Sequence, residues 1–215
     1  MDKVYKLILF DLNGTIVNTP FIDHQPLHIL SGRQEKLAAL SHQGLITGVC
    51  TNQGGPIWRA ATGKTNFPTA TDVANECKAI ITQLLTPGHF WCISLYDKRA
   101  KLLLHRAVEQ EIADAAIVGS EPVYSEADTV LAGLKEQMEQ AFLLWECPVS
   151  IWVGADKDWR KPEPGMLTFA RNLVGTEATE TLYVGDLPDD EQAAKNAGCD
   201  FMWADEFFDD KGKVG

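Results

Sequence analysis

Short apolar runs alternate with segments of helical periodicity along most of the chain. Runs typical of buried strands lie at 4–10, 45–50 and 181–184, and each is followed by apolar residues at helical spacing. Strand and helix alternating in this way favour a parallel sheet with helices on both faces. The sequence therefore predicts an α/β, Rossmann-like fold. Two further strands are predicted at 89–96 and 150–153. Helices are predicted at 34–42, 72–85, 165–173 and 189–197.

Residues 100–148 interrupt this alternation. They hold a long helical stretch that begins at Ser125 and Asp128, which have the spacing of a capping box. Ser31 and Gln34 have the same spacing at the start of the predicted helix at 34–42. We interpret 100–148 as an insertion or lid within a single domain spanning 1–215. Within it, apolar residues at helical spacing predict a stripe that faces the core: Leu131, Leu134, Met138, Phe142 and Trp145.

Net charge and cysteine content disfavour several classes of ligand and site. The 215 residues carry 30 acidic and 19 basic side chains, a net charge of −11, which counts against broad binding to nucleic acid or to an anionic membrane. The five cysteines are scattered and form no cluster with histidine, so we expect no zinc site and no disulfide framework. The apolar run at the N-terminus is too short for a signal peptide. We therefore expect a cytoplasmic protein without a membrane span.

Polar chemistry follows three of the predicted strands directly. The first strand ends in DLNGT at 11–15, the second in TNQGG at 51–55, and the strand at 181–184 in GDLPDD at 185–190. Parallel α/β sheets bind their ligands beyond the carboxyl ends of the strands. The sequence therefore predicts one site where these three segments meet.

The residue types suggest a chemistry for this site. Asp11 is placed to act as a nucleophile or as a ligand of a hard cation, and Asp186 as a cation ligand. Thr51 offers a neutral donor for a phosphoryl oxygen. Lys161, just before a predicted helix, can neutralise a carboxylate and a phosphate together. Each motif alone has an ordinary alternative: a turn, a solvated basic pair, or acids that favour a helix N-terminus.

Taken in order, DLNGT, TN, Lys161 and GDLPDD resemble the four motifs of the haloacid dehalogenase-like hydrolases. The segments TNQGG, RKPEPGM and VGDLPDDEQAAKNAG are most similar to the branch with histidinol-phosphate, heptose bisphosphate and polynucleotide 3′-phosphatases. The resemblance implies a phosphatase in which Asp11 takes the phosphoryl group as an aspartyl-phosphate. It assigns Mg²⁺ to Asp11, the main-chain carbonyl of Asn13, Asp186 and Asp190, with Asp190 also positioning Lys161. The implied substrate-binding residues are Thr51, Asn52, Arg160 and Lys161.

Asn13 departs from the family pattern, which has a second aspartate there. That aspartate protonates the leaving oxygen and then activates water, whereas an amide has no proton to exchange. We therefore expect impaired turnover with retained binding. Asn13 is either a substitution introduced to trap a bound state or the natural residue of a chain whose chemistry has changed; the completeness of the other motifs favours the first.

The zinc loop of some histidinol- and heptose-phosphate enzymes is also missing, which disfavours those two substrates and leaves the polynucleotide type by elimination. The net charge of −11 argues the other way, so a small phosphorylated metabolite and a nucleic-acid 3′ end both stay open. One basic cluster, at 98–106, either meets such an end or is a solvated face. Trp58 and Arg59 either face substrate or pack their helix. Two other functions stay open: a phosphate-ligand-binding or interaction protein without catalysis, and a dehalogenase-type hydrolase.

Overall fold

Six parallel strands form one sheet in the computed structural model, which describes residues 4–19, 27–106, 110, 127–143, 145–146 and 148–209. The sheet order is β4-β3-β2-β1-β5-β6, and every neighbouring pair is parallel. The predicted α/β, Rossmann-like fold is confirmed. The strands are β1 Leu7–Phe10, β2 Ile46–Asn52, β3 Phe90–Ser94, β4 Ser150–Gly154, β5 Thr181–Gly185 and β6 Asp200–Trp203.

Helices connect these strands on both sides of the sheet. In chain order they are α1 Arg33–His42, α2 Gly55–Thr62, α3 Ala70–Gln83, α4 at 98–106, α5 Ala127–Leu143, α6 Gly165–Val174, α7 Pro188–Ala197 and α8 Ala204–Phe207. Short 3₁₀ turns lie at Lys157–Trp159 and Ala178–Glu180.

Strand β1 shows how the two faces are filled. Its side chains alternate, as strand geometry requires: Ile8 and Phe10 join a buried cluster with residues of α1, α3 and α5. Leu7 and Leu9 join a second cluster with residues of α6 and α7. Because both faces are covered, β1 reads as a continuous apolar run, which is typical of a central parallel strand.

Three local predictions differ from the structure. β1 begins at Leu7 rather than at Val4, which is exposed. The capping box at the start of α1 is wrong, because Gly32 occupies the N-cap position with φ 78° and no side chain caps the helix. The side chain of Gln34 instead accepts the N–H of Leu85 (3.0 Å). Conversely, α3 begins two residues earlier than expected, at Ala70, behind a capping box of Thr69 and Asp72.

The predicted core-facing stripe of α5 is confirmed. Leu131, Met138 and Phe142 are buried, and Leu134 and Trp145 pack against the core while partly exposed. The second predicted capping box includes Ser125, which lies outside the described residues. The interpretation of 100–148 as an insertion or lid stays a prediction. Within the described ranges, no helix has the length and apolar character needed to cross a membrane.

Candidate active site

The carboxyl ends of β1, β2 and β5 open into a cleft of about 250 Å³, which we call the acidic cleft. The pairing of Phe10 with Val49 on one side and Val184 on the other sets DLNGT between the other two polar segments. All of the predicted site residues line this cleft: Asp11, Asn13, Thr51, Asn52, Arg160, Lys161, Asp186 and Asp190.

Lys161 lies at the centre of the cleft and is almost wholly buried, with 2% of its surface exposed. Its ammonium donates three hydrogen bonds, to Asp11 Oδ1 (2.5 Å), Asp190 Oδ1 (2.6 Å) and the hydroxyl of Tyr183 (2.7 Å). An ammonium has three hydrogens, so all of its donors are used. Lys161 therefore joins the predicted nucleophile to the start of α7.

Tyr183 was not among the predicted site residues. Its hydroxyl lies 3.1 Å from the carbonyl of Cys50 and 3.1 Å from Asp190 Oδ1, so it can donate to either while accepting from Lys161. Burial, followed by the nearby carboxylates Asp190 and Asp11, raises the pKa of Tyr183 well above its usual value. Tyr183 therefore stays a neutral phenol. As a strand residue between apolar neighbours, it gives only the signal of a core aromatic.

Asp190 ties the loop after β5 to α7. Its Oδ2 accepts the main-chain N–H groups of Asp186 (3.2 Å) and Leu187 (3.0 Å), while Oδ1 accepts from Lys161. Gly185 makes this possible, because a Cβ there would lie 2.5 Å from the Cβ of Asp190. Both oxygens of Asp190 thus have protein partners.

The cleft holds more negative charge than its lysine balances. Oxygens of Asp11, Asp186 and Asp190 lie within 4.8 Å of one another, so three ionised carboxylates would face the single ammonium of Lys161. Burial raises the pKa of Asp11 to about 7; Lys161 opposes that rise, and Asp190 and Asp186 add to it. Burial and Asp190 also raise the pKa of Asp186. A divalent cation would offset this surplus, and carboxylate oxygens are ligands that Mg²⁺ prefers.

Asn13 and Thr51 are linked by a residue that the sequence reasoning did not single out. The side-chain amide of Gln53 donates to Asn13 Oδ1 (3.1 Å) and to Thr51 Oγ1 (3.1 Å). Thr51 is buried, and its own hydroxyl hydrogen remains available to a ligand oxygen. The only sequence signal for Gln53 is its place in the TNQGG turn.

The other two predicted substrate-binding side chains are held by protein groups. Asn52 pairs with the main chain of Lys161, donating to its carbonyl and accepting its N–H (both 3.1 Å). Arg160 donates to the carbonyl of Tyr96 (2.8 Å) and pairs with Asp97 (3.2 Å). These contacts fix the Arg160–Lys161 segment against the end of β2 and the loop after β3. Substrate binding by Asn52 and Arg160 stays a prediction.

Comparison with known proteins shows which families the chain resembles. The profile of the family described as Haloacid dehalogenase-like hydrolase matches residues 127–204. Two curated phosphoglycolate phosphatases match over 201 residues, covering 91% of this chain and 68% of each relative. They are 26% identical, from Pseudomonas syringae pv. syringae (strain B728a), and 25% identical, from Pseudomonas savastanoi pv. phaseolicola (strain 1448A / Race 6).

The chain is thus similar to haloacid dehalogenase-like hydrolases, and both of these curated relatives are phosphatases. One solved structure similar to this chain is D,D-heptose 1.7-bisphosphate phosphatase from B. bronchiseptica, complexed with magnesium and phosphate. The two chains are 19% identical, with a TM-score of 0.43, and the match covers 91% of this chain and 78% of that one.

Proposed function

We propose that the acidic cleft hydrolyses phosphomonoesters with the help of Mg²⁺, through an aspartyl-phosphate on Asp11. The observation that carries this proposal is the arrangement around Lys161. One buried ammonium contacts both Asp11 and Asp190, and the oxygens of three carboxylates lie within 4.8 Å of one another. Catalysis of phosphoryl transfer rests mainly on positioning and charge neutralisation, which such a cluster can supply.

Asp11 and Asp186 are the carboxylates best placed to hold Mg²⁺. One oxygen of Asp11 accepts a hydrogen bond from Lys161, and one oxygen of Asp186 accepts a hydrogen bond from the Thr15 hydroxyl (3.2 Å). The second oxygen of each carboxylate remains for a cation. The main-chain carbonyl of Asn13 would be the third protein ligand, and Asp190 would act mainly by positioning Lys161 and the loop after β5. When bound, Mg²⁺ supplies charge neutralisation for the transferring phosphoryl group.

The reaction would proceed in two displacements at phosphorus. An oxygen of Asp11 forms a bond to phosphorus while the bond from phosphorus to the alcohol oxygen breaks. As Asp11 loses its charge, Lys161 keeps its pair with Asp190 and turns its remaining hydrogen bond toward a phosphoryl oxygen, beside the Thr51 hydroxyl. Water then attacks the phosphorus, which releases phosphate and restores the Asp11 carboxylate.

Asn13 limits both displacements. The departing alkoxide must gain a proton and the attacking water must lose one, and the side-chain amide of Asn13 can do neither. The proton must therefore come from and return to solvent. General acid–base catalysis typically contributes about 10²–10⁴-fold, so turnover by this chain should be lower by that factor than with aspartate at position 13.

The test is phosphate release from a phosphomonoester panel by this chain and by Asn13→Asp, with and without Mg²⁺. The panel includes phosphoglycolate, nucleotides, sugar phosphates, histidinol phosphate and a 3′-phosphorylated oligonucleotide. We expect Mg²⁺-dependent turnover that rises about 10²–10⁴-fold in Asn13→Asp. The matched control combines Asn13→Asp with Asp11→Asn, which removes the nucleophile and should abolish turnover.

Asn13 also favours a second candidate, a protein that binds a phosphorylated ligand without turning it over. It predicts that Asn13→Asp stays silent on every ester while the unchanged chain still binds Mg²⁺ and phosphate in calorimetry. A dehalogenase-type reaction, in which Asp11 attacks carbon, would need no cation. Activity that persists in a chelator would therefore contradict the proposed phosphatase.

A further inference from the structure

A second cleft, of about 350 Å³, lies beside the acidic cleft and shares Asn13, Asn52 and Arg160 with it. We call it the aromatic cleft; its other walls come mainly from α2 and the loop after it. Under the proposed function, the side chain at position 13 faces the oxygen that leaves phosphorus. Because Asn13 borders both clefts, the alcohol part of a substrate held at Asp11 would extend into the aromatic cleft.

The outer wall of this cleft is apolar. The rings of Trp58 and Phe67 lie with centroids 5.9 Å apart and planes at 23°, and Pro68 continues the wall. All three side chains are partly exposed. Partly exposed aromatic groups beside a polar site are typical of pockets that bind ring-bearing ligands.

Hydrogen bonds and close packing hold this wall in place without a ligand. Arg59 donates to the carbonyl of Phe67 (2.8 Å), which closes the loop between α2 and α3. Pro68 rests against Gly55 so closely that a Cβ there would lie 2.6 Å from its ring. The cleft is therefore formed in advance, which reduces the entropy cost of binding.

The charges along the cleft disfavour a second anion. Arg160 is paired with Asp97, whose Oδ1 also accepts the main-chain N–H of Ala100 (3.0 Å). Glu76 adds another carboxylate at the rim. One guanidinium and two carboxylates leave the cleft with a net charge of −1 when all are ionised. A carboxylate or further phosphate on the alcohol would be repelled there.

We infer that the aromatic cleft binds the alcohol part of the substrate, and that this alcohol carries an aromatic or heterocyclic ring and no carboxylate or further phosphate. This inference rests on the proposed function, because it takes the position of the phosphoryl group from the acidic cleft. It distinguishes this chain from its curated relatives, whose named substrate, phosphoglycolate, carries a carboxylate on a two-carbon alcohol.

The test compares benzyl phosphate, ethyl phosphate and phosphoglycolate as substrates of Asn13→Asp with Mg²⁺. All three are esters of alkyl alcohols, so differences in intrinsic reactivity are small. We expect kcat/KM for benzyl phosphate to exceed that for ethyl phosphate about tenfold, with phosphoglycolate below both. Trp58→Ala should remove most of this advantage, by lowering kcat/KM for benzyl phosphate more than kcat/KM for ethyl phosphate.

A binding measurement keeps the test independent of turnover. Calorimetry with benzylphosphonate and ethylphosphonate, which are not hydrolysed, uses the unchanged chain with Mg²⁺. Trp58→Ala should weaken the binding of benzylphosphonate about tenfold more than the binding of ethylphosphonate. Trp152→Ala is the matched control, because Trp152 is 42% exposed on β4 and contacts Phe169 away from both clefts; it should change neither.

Equal kcat/KM for the three esters, or a preference for phosphoglycolate, would overturn the inference and leave the proposed hydrolysis standing. An equal loss of affinity for both phosphonates in Trp58→Ala would also overturn the inference. Binding of benzylphosphonate that depends on Trp58, without hydrolysis of any ester, would support the inference and contradict the proposed catalysis.

Discussion

The acidic and aromatic clefts share a border but are built in different ways. Polar side chains at the ends of three strands form the acidic cleft, and its central residues Lys161 and Asp190 are 2% and 1% exposed. Helix α2 and the loop after it form much of the aromatic cleft, where half-buried rings lie beside a partly exposed ion pair. Buried, paired charges make a site rigid and costly to alter, whereas a partly exposed apolar wall tolerates change. Under the proposed function, chemistry and selectivity would thus belong to two neighbouring clefts.

The largest test compares the buried cation of the acidic cleft, Lys161, with the partly exposed cation that both clefts share, Arg160. Lys161→Met leaves Asp11 and Asp190 buried without their shared partner, and we expect the free energy of unfolding to fall by about 3–5 kcal/mol near pH 8. The loss should shrink as the pH falls, because protonated carboxylates no longer repel each other. Urea denaturation at several pH values between about 5 and 8 measures the free energy of unfolding and its pH dependence.

The matched change is Arg160→Met, at the next position. Its guanidinium is 27% exposed and pairs with an Asp97 side chain that is 15% exposed. We expect a loss of about 1 kcal/mol, since exposed pairs contribute little. Equal losses in Lys161→Met and Arg160→Met would contradict the contrast between buried and partly exposed charge pairs.

The second test concerns the glycine that lets Asp186 approach the first strand. Gly14 has φ +81°, and a Cβ there would collide with the carboxylate of Asp186. Gly14→Ala should therefore displace Asp186 and weaken Mg²⁺ binding about 10–100-fold, the range for groups that orient metal ligands. Calorimetric titration with Mg²⁺ measures this change.

Gly63→Ala separates this effect from backbone strain. Gly63 has φ +66° and nothing within 4 Å of an added Cβ, so its variant carries similar strain, of about 1–2 kcal/mol, without a collision. Its Mg²⁺ affinity should stay unchanged. If both variants bind Mg²⁺ as tightly as the unchanged chain, Asp186 is not a ligand held in place by Gly14.

The third test is the pH dependence of binding in each cleft. Burial raises the pKa of Asp11 to about 7, so below that pH a cation must displace a proton from Asp11. Mg²⁺ affinity should fall about tenfold for each unit below pH 7 and level off above it. Benzyl alcohol, which probes the aromatic cleft alone, should bind equally from about pH 6 to 8. Parallel slopes for both ligands would contradict this assignment.

The same contrast explains what the sequence could predict. Asp11, Thr51 and Asp186 follow strands directly, and parallel strands bring their carboxyl ends together, so these positions were predictable from order alone. No periodic signal marks the aromatic cleft. Trp58 and Phe67 meet because Arg59 hydrogen bonds to a main-chain carbonyl of the intervening loop, a contact that depends on the folded loop.

Two residues that hydrogen bond to side chains of the acidic cleft escaped prediction for related reasons. Tyr183 has the pattern of a buried strand residue, and only the pairing of β5 with β1 brings its hydroxyl to Lys161. Gln53 has the pattern of a turn residue, and its bridge between Asn13 and Thr51 needs both loops in place. Polar contacts that cross between elements carry no local sequence signature.

The smallest expected effect comes from Tyr183→Phe. The change keeps the ring in the core but leaves one N–H of Lys161 without its acceptor. We expect the free energy of unfolding to fall by about 1–2 kcal/mol, as for a single buried hydrogen bond. With its remaining hydrogen bonds redirected, Lys161 should hold Asp11 less firmly, so Mg²⁺ affinity should change severalfold.

Tyr5→Phe is the matched control, since it also removes a phenol hydrogen bond, from Tyr5 to Asp200 Oδ2 (2.6 Å), outside the acidic cleft. Because Tyr5 is partly exposed, Tyr5→Phe should lower the free energy of unfolding by no more than Tyr183→Phe does. It should leave the Mg²⁺ affinity unchanged. A change in Mg²⁺ affinity confined to Tyr183→Phe would make Tyr183 a positioning residue for Lys161. Stability losses without any difference in Mg²⁺ binding would make it only a core residue, and the acidic cleft would then depend on its charged groups alone.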